Sequence, residues 1–161
     1  MEEQITLKRH GFITFWLWLG IVFGILGFVG LIVATSQVNT VPNPLNYKTL
    51  DDFEYAVWVY EHASGFTFLY ISYAILCLVD AGASFLLLQR KKLGFKLRIG
   101  AAAVSVILAF VYGLSISQKA GVGLAFGTAI GTAIGAAIGI GILYAILNIR
   151  KDGIPYWSQL Q

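Results

Sequence analysis

"GLAFGTAIGTAIGAAIGIG", residues 123–141, places a glycine at Gly123, Gly127, Gly131, Gly135 and Gly139, every fourth position without a break. A flexible linker is excluded, because Leu124, Phe126, Ile130, Ile134 and Ile138 stand where a linker would carry Ser and other polar residues. A phosphate-cradling loop is excluded too. It needs Gly-Lys-Ser/Thr after a strand, and no lysine lies between residues 120 and 150. What remains is an apolar helix, and the run from Leu124 to Leu147 is long enough to cross a hydrocarbon core of about 30 Å.

Three more stretches of that kind precede it, at residues 12–34, 66–88 and 97–116. The chain is 58% hydrophobic and only 12% charged over 161 residues, outside the range of a small water-soluble domain. The expected fold is therefore an all-α membrane protein, a single integral domain over residues 1–161 with four spans in a transmembrane bundle. The first span runs too long for the 7 to 15 apolar residues of a cleaved leader, so it is expected to remain.

The 11 basic residues divide unevenly among the loops. Lys8 and Arg9 precede span one; Arg90, Lys91, Lys92, Lys96 and Arg98 join spans two and three; Arg150 and Lys151 follow span four. Only Lys48 and Lys119 fall in the other two loops. The positive-inside rule then places both termini in the cytoplasm of a bacterium, in a multi-pass protein of its inner membrane. The net charge of +3 follows from that topology and predicts no nucleic-acid partner.

Residues 90–96 and 117–123 read as tight turns, whereas the external loop 37–62 is long. Pro42 and Pro44 forbid a regular helix at its start. Beyond them Thr49 can cap a short helix with Asp51, Asp52 and Glu54 in its first turns. Leu50, Phe53, Val57 and Tyr60 give that helix an apolar side, and Tyr55 and Trp58 suit headgroup depth. It is expected at the outer interface as an aromatic-anchored connector into span two; a lid or a docking surface for a partner is the alternative.

Along the ladder each step of four turns the glycine by 400°, so the row drifts around the helix as a tilted groove. Such a groove favours a close right-handed crossing of about −40 to −50°. The preferred reading is packing of span four against span one or three, with homo-oligomerisation through the ladder, or a pore or substrate path, as alternatives. Gly20, Gly24 and Gly27 in span one alternate by four and three, which keeps them on one stripe suited to shallow packing.

Asp80 is the one acidic residue inside a span. Counting ten residues back from Arg90 puts it about 15 Å from the cytoplasmic edge, where an aspartate costs roughly 2.5 to 3.5 kcal/mol and should face protein or water. Tyr73, Cys77, Asp80 and Ser84 form one polar stripe on its helix. Counting depth on the other spans nominates Ser105 and Trp18 as donors to the carboxylate. Tyr112, Thr128 and Thr132 extend with Tyr73 as a polar path from outside, and no basic residue is expected at the depth of Asp80. One reading makes Asp80 a proton or cation site in a transport cycle; the other makes it a hydrogen-bonding group that fixes helix register.

Enzyme chemistry finds little support. His10 and His62 fall on opposite sides of the membrane, Cys77 is the single cysteine, and the adjacent Asp51 and Asp52 lack an EF-hand pattern. No metal site, cofactor or catalytic set is expected. The opening "KRHGFITFWLWLGI" and the ending "ILYAILNIRKDGIPYWSQL", with the "KKLGF" turn at 91–95, resemble a group of small bacterial four-span membrane proteins. That resemblance implies the four-span fold and no activity. The expected function is a non-enzymatic accessory or interaction protein assembled by glycine-mediated helix packing, with the bilayer, a second copy or another membrane protein as partner. The alternative is a proton- or cation-coupled small transporter or channel subunit using Asp80.

Overall fold

A computed structural model of the chain describes residues 11–120, 122–151 and 154–160. Lys8, Arg9, His10 and the Gly153 of the closing motif lie outside the described residues, as do the surroundings of Gly123. Five helices carry the fold: α1 (Gly11–Val38), α2 (Leu50–Glu61), α3 (Ala63–Leu88), α4 (Leu93–Ala120) and α5 (Val122–Leu147). Helices α1, α3, α4 and α5 are long and apolar enough to cross a membrane, and α2 is the short helix between the first two of them. Phe15, Phe23, Phe68, Ile107, Ile130 and Ile138 all point outward, a surface that suits lipid rather than water.

The helices run longer than the apolar windows alone suggest. The loop expected at 90–96 shrinks to a few residues, because α3 ends in a Schellman cap in which the Lys91 amide donates to the Leu86 carbonyl and the Arg90 amide to Leu87. Arg90 takes the left-handed conformation that this cap requires, φ 63°. α4 then restarts at Leu93, and Gly94 lies so close to the Ala83 carbonyl that a Cβ there would collide with it. At the other end of this hairpin α4 continues to Ala120 and α5 begins at Val122, leaving almost none of the turn expected over 117–123.

α2 forms where its start signal predicts. The Thr49 hydroxyl accepts from the Asp52 amide at 3.1 Å, and Asp51 and Asp52 occupy the first turn. The imidazole of His62, at the corner between α2 and α3, lies 2.8 Å from the Trp58 carbonyl, and the Trp58 ring packs edge-on against Phe66.

The packing order is α1 on α3, α3 on α4, and α4 on α5. Among the described residues no comparable contact joins α1 to α5. The two helices share the core cluster at the end that carries the α3–α4 turn, made by Ile13, Leu17, Leu87, Leu88, Leu143, Ile146 and Leu147. After α5 the chain forms a two-residue antiparallel pairing, Arg150–Lys151 with Ile154–Pro155, and a single 3₁₀ turn, Tyr156–Gln159. That tail folds under the bundle. Tyr156 and Leu160 are buried in the cluster, the Tyr156 hydroxyl donates to the Leu87 carbonyl at 2.8 Å, and Trp157 packs edge-on against Phe95.

The glycine-rich helices behave in opposite ways. Gly20, Gly24 and Gly27 face α3 closely: a Cβ on Gly24 would stand 2.7 Å from the Cys77 carbonyl oxygen, and one on Gly20 2.5 Å from the Ser84 hydroxyl. On α5, by contrast, a Cβ at Gly127, Gly131, Gly135 or Gly139 would meet nothing within 4 Å. The expected packing of the ladder onto span one or three is therefore corrected. The row one residue later, Thr128, Thr132, Ala136 and Ile140, is the less exposed, and Thr128 donates to the Ala109 carbonyl of α4 at 3.3 Å. A step of one residue turns 100°, so a face of hydroxyls and methyls takes α4 while the glycines beside it stay uncovered.

Candidate functional site

The polar stripe of α3 faces the inside of the bundle. Asp80 lies eight residues from the end of α3, about 12 Å along the helix. It lines two adjoining cavities. One, of about 450 Å³, lies between α3, α4 and α5 and includes Tyr73, Asp80, Ser105, Thr132, Gly135 and Gly139 in its walls. The other, of about 270 Å³, lies on the α1 side against Trp16, Gly20, Phe23 and Gly24. Cys77, Asp80 and Arg98 belong to both.

Arg98 overturns the expectation that no basic residue reaches Asp80. Its Nε stands 3.7 Å from Asp80 Oδ1, and its Nη1 donates to the Ser84 hydroxyl at 3.4 Å. The reason is geometric. Folding the chain back about a turn centred on residues 90–91 puts Arg98 level with Ala83 and Ser84, and its long apolar stem carries the guanidinium one turn further. Assigning Arg98 to the connecting loop by charge had hidden this; as a residue of α4 it was available to the same depth count that located Asp80.

The other expected partners divide. Tyr73 does bridge to α4, donating to the Ser105 carbonyl at 3.3 Å. The Ser105 hydroxyl itself donates to the Ala102 carbonyl, and the Thr132 hydroxyl to Thr128 of its own helix, as Ser and Thr readily do in a helix. Trp18 is not a donor to Asp80: its side chain is on the outer surface of α1, 54% exposed, whereas Trp16 lines the cavity. Ser84 is completely buried, against the space left by Gly20. Cys77 faces Gly24 and Gly27 of α1.

The polar path expected above Asp80 is incomplete. Tyr73 and Thr132 share the larger cavity with the carboxylate, but Tyr112 packs edge-on against Phe66, and neither it nor Thr128 lines the cavity. Below the pair, the core cluster fills the bundle about one turn away, at Leu17, Leu87 and Leu143. The interior is thus closed toward the α3–α4 turn by packed side chains.

Chemically the site offers one anion and one cation in a largely apolar hollow. Their separation exceeds that of a hydrogen bond, and both side chains are partly exposed, Arg98 by 28% and Asp80 by 44%. Among the described residues no three His, Cys, Asp or Glu side chains converge. No protein-family model, curated protein or solved structure matches the chain.

Proposed function

We propose that the chain is a non-enzymatic protein of a bacterial inner membrane, with both termini cytoplasmic, that acts by binding a second copy of itself or another membrane protein. The observation that supports this is the bare ladder on α5. Gly127, Gly131, Gly135 and Gly139 are patterned for close helix contact, yet among the described residues no atom comes within 4 Å of where their Cβ would stand. Gly131→Leu tests it, because the Cβ it adds meets no described atom within 4 Å. The variant should keep its helicity and lose the complexes trapped by chemical crosslinking in native membranes. Crosslinked complexes that persist unchanged would sink the proposal.

A second reading, a proton- or cation-coupled transporter or channel subunit, is favoured by the position of Asp80 on the 450 Å³ cavity. Arg98 weighs against it, since a guanidinium that keeps its charge already answers the carboxylate. Coupled flux into proteoliposomes that is abolished by Asp80→Asn, in a protein that still folds, would replace the first reading with this one.

A further inference from the structure

The start of α4 gathers like charges with nothing of opposite sign beside them. The Lys96 amide donates to the Lys92 carbonyl at 3.3 Å, so the first helical turn already includes Lys92, and the two lysines stand one above the other at i and i+4. Their Cβ atoms are then about 5 to 6 Å apart, and a like-charged pair at that spacing destabilises a helix. No described carboxylate relieves it. Asp80 stands beside Arg98, and the other described acids are those of α2, which leads into the far end of α3. Lys91 adds a third positive charge in the turn itself.

Water hydrates an exposed lysine, but Lys96 is not placed for water alone. It lies three residues beyond Leu93, about 5 Å into the apolar span Leu93–Ser115. Leu93, Lys96, Leu97 and Gly100 follow one another at steps of three, one and three, which keeps them on one helix face, and all of them are exposed. A face of that composition on a spanning helix meets acyl chains, so the apolar stem of Lys96 carries its ammonium back up to the lipid phosphates. Lys92, one turn nearer the helix end, reaches the same layer. Beside Lys96 the rings of Phe95, Tyr144 and Trp157 pack together, and Tyr and Trp favour headgroup depth. A headgroup of zero net charge would bring an ammonium of its own to this place, whereas one with net negative charge cancels the repulsion.

We propose that Lys92 and Lys96, with Lys91 beside them, hold the phosphate of an anionic phospholipid in the leaflet on the side of the α3–α4 turn, its acyl chains lying along Leu93, Leu97 and Gly100 of α4. The lipid supplies the negative charge that the chain does not place there. This site goes beyond the reading of α5 as a docking face and uses none of its residues. It requires only that α4 spans the bilayer.

The test is native mass spectrometry of the full chain released from nanodiscs made of equal parts phosphatidylglycerol, phosphatidylethanolamine and phosphatidylcholine. A lysine at an anionic surface is worth about fivefold, so phosphatidylglycerol should be retained about tenfold or more over either neutral lipid. Lys92→Gln/Lys96→Gln should lower that ratio about fivefold or more, whereas Lys92→Arg/Lys96→Arg, which keeps both charges, should preserve it. Arg150→Gln/Lys151→Gln removes as much charge from the tail and should leave the ratio within about twofold of the wild type. An equal fall in the tail variant would show a preference set by net charge alone and overturn the site, as would a ratio unchanged in Lys92→Gln/Lys96→Gln. Should a variant not fold, the wild-type protein decides alone, because equal retention of the three headgroups overturns the proposal. Displacement of the lipid by millimolar inorganic phosphate would identify a free anion as the ligand and likewise overturn it.

Discussion

Gly24→Ala and Gly131→Ala make the same chemical change on two glycine-rich helices and should have different consequences. At Gly24 the new methyl would lie 2.7 Å from the Cys77 carbonyl oxygen, 2.9 Å from the Ala81 Cβ and 3.2 Å from the Ala81 amide nitrogen. Two of those three atoms are backbone, which no rotamer change can move. Ordinary contact begins near 3.4 Å, so α1 and α3 must separate by several tenths of an ångström along a tightly packed seam. Forcing an extra methyl into a filled interface costs about 1 to 3 kcal/mol. At Gly131 the methyl meets nothing within 4 Å and no such cost arises. Both changes gain the same helix propensity, up to about 1 kcal/mol, so that contribution cancels in the comparison. The expected difference is therefore about 1 to 3 kcal/mol, with Gly24→Ala the less stable. Reversible unfolding in mixed micelles with increasing dodecyl sulfate, followed by helicity, measures it. Equal midpoints, or a lower midpoint for Gly131→Ala, would refute the assignment of the α1 glycines to packing and the α5 glycines to open space.

Two further outcomes follow from the turn end of the bundle. Tyr156→Phe removes the buried hydroxyl that donates to Leu87 while keeping the ring, and should cost about 0.5 to 1.5 kcal/mol, whereas Leu160→Ala should cost about 2 to 5 kcal/mol, both read in the same unfolding assay. At the α3 cap, Arg90→Gly should be about 1 to 2 kcal/mol more stable than Arg90→Ala, because both lose the guanidinium but only glycine adopts a φ of 63° without penalty; equal stabilities would show that the cap does not depend on that conformation.

The four long helices were legible because apolar length in a bilayer leaves few alternatives, and α2 was legible because Thr49, Asp51 and Asp52 are a start signal with a local mechanism. Helix partners were harder to read. The ladder announces a surface fit for close contact, but the sequence does not say whether its own chain fills that surface, and Thr128 and Thr132 compete one position away with hydroxyls that reach neighbouring carbonyls. On α1 the glycine stripe is shorter and less regular than the ladder, yet it is the one that meets Cys77, Ala81 and Ser84. Asp80 stood out as a charge within a span; Arg98 did not, because sorting charges by loop ignores how far an arginine stem reaches. In the tail Tyr156 enters the core, a contact between residues 69 apart in sequence that no local pattern records.

The buried tail also sets a timetable for synthesis. The cluster that holds α1 to α5 draws Ile13 and Leu17 from the first span and Leu160 from beyond the last. At translation rates of roughly 5 to 20 residues per second, the earlier side of that cluster waits on the order of ten seconds for the later one. All four spans are therefore threaded into the lipid before the seam at the turn end can close. During that interval the half-made protein presents an unfinished apolar end, which Tyr156 and Leu160 complete when they arrive.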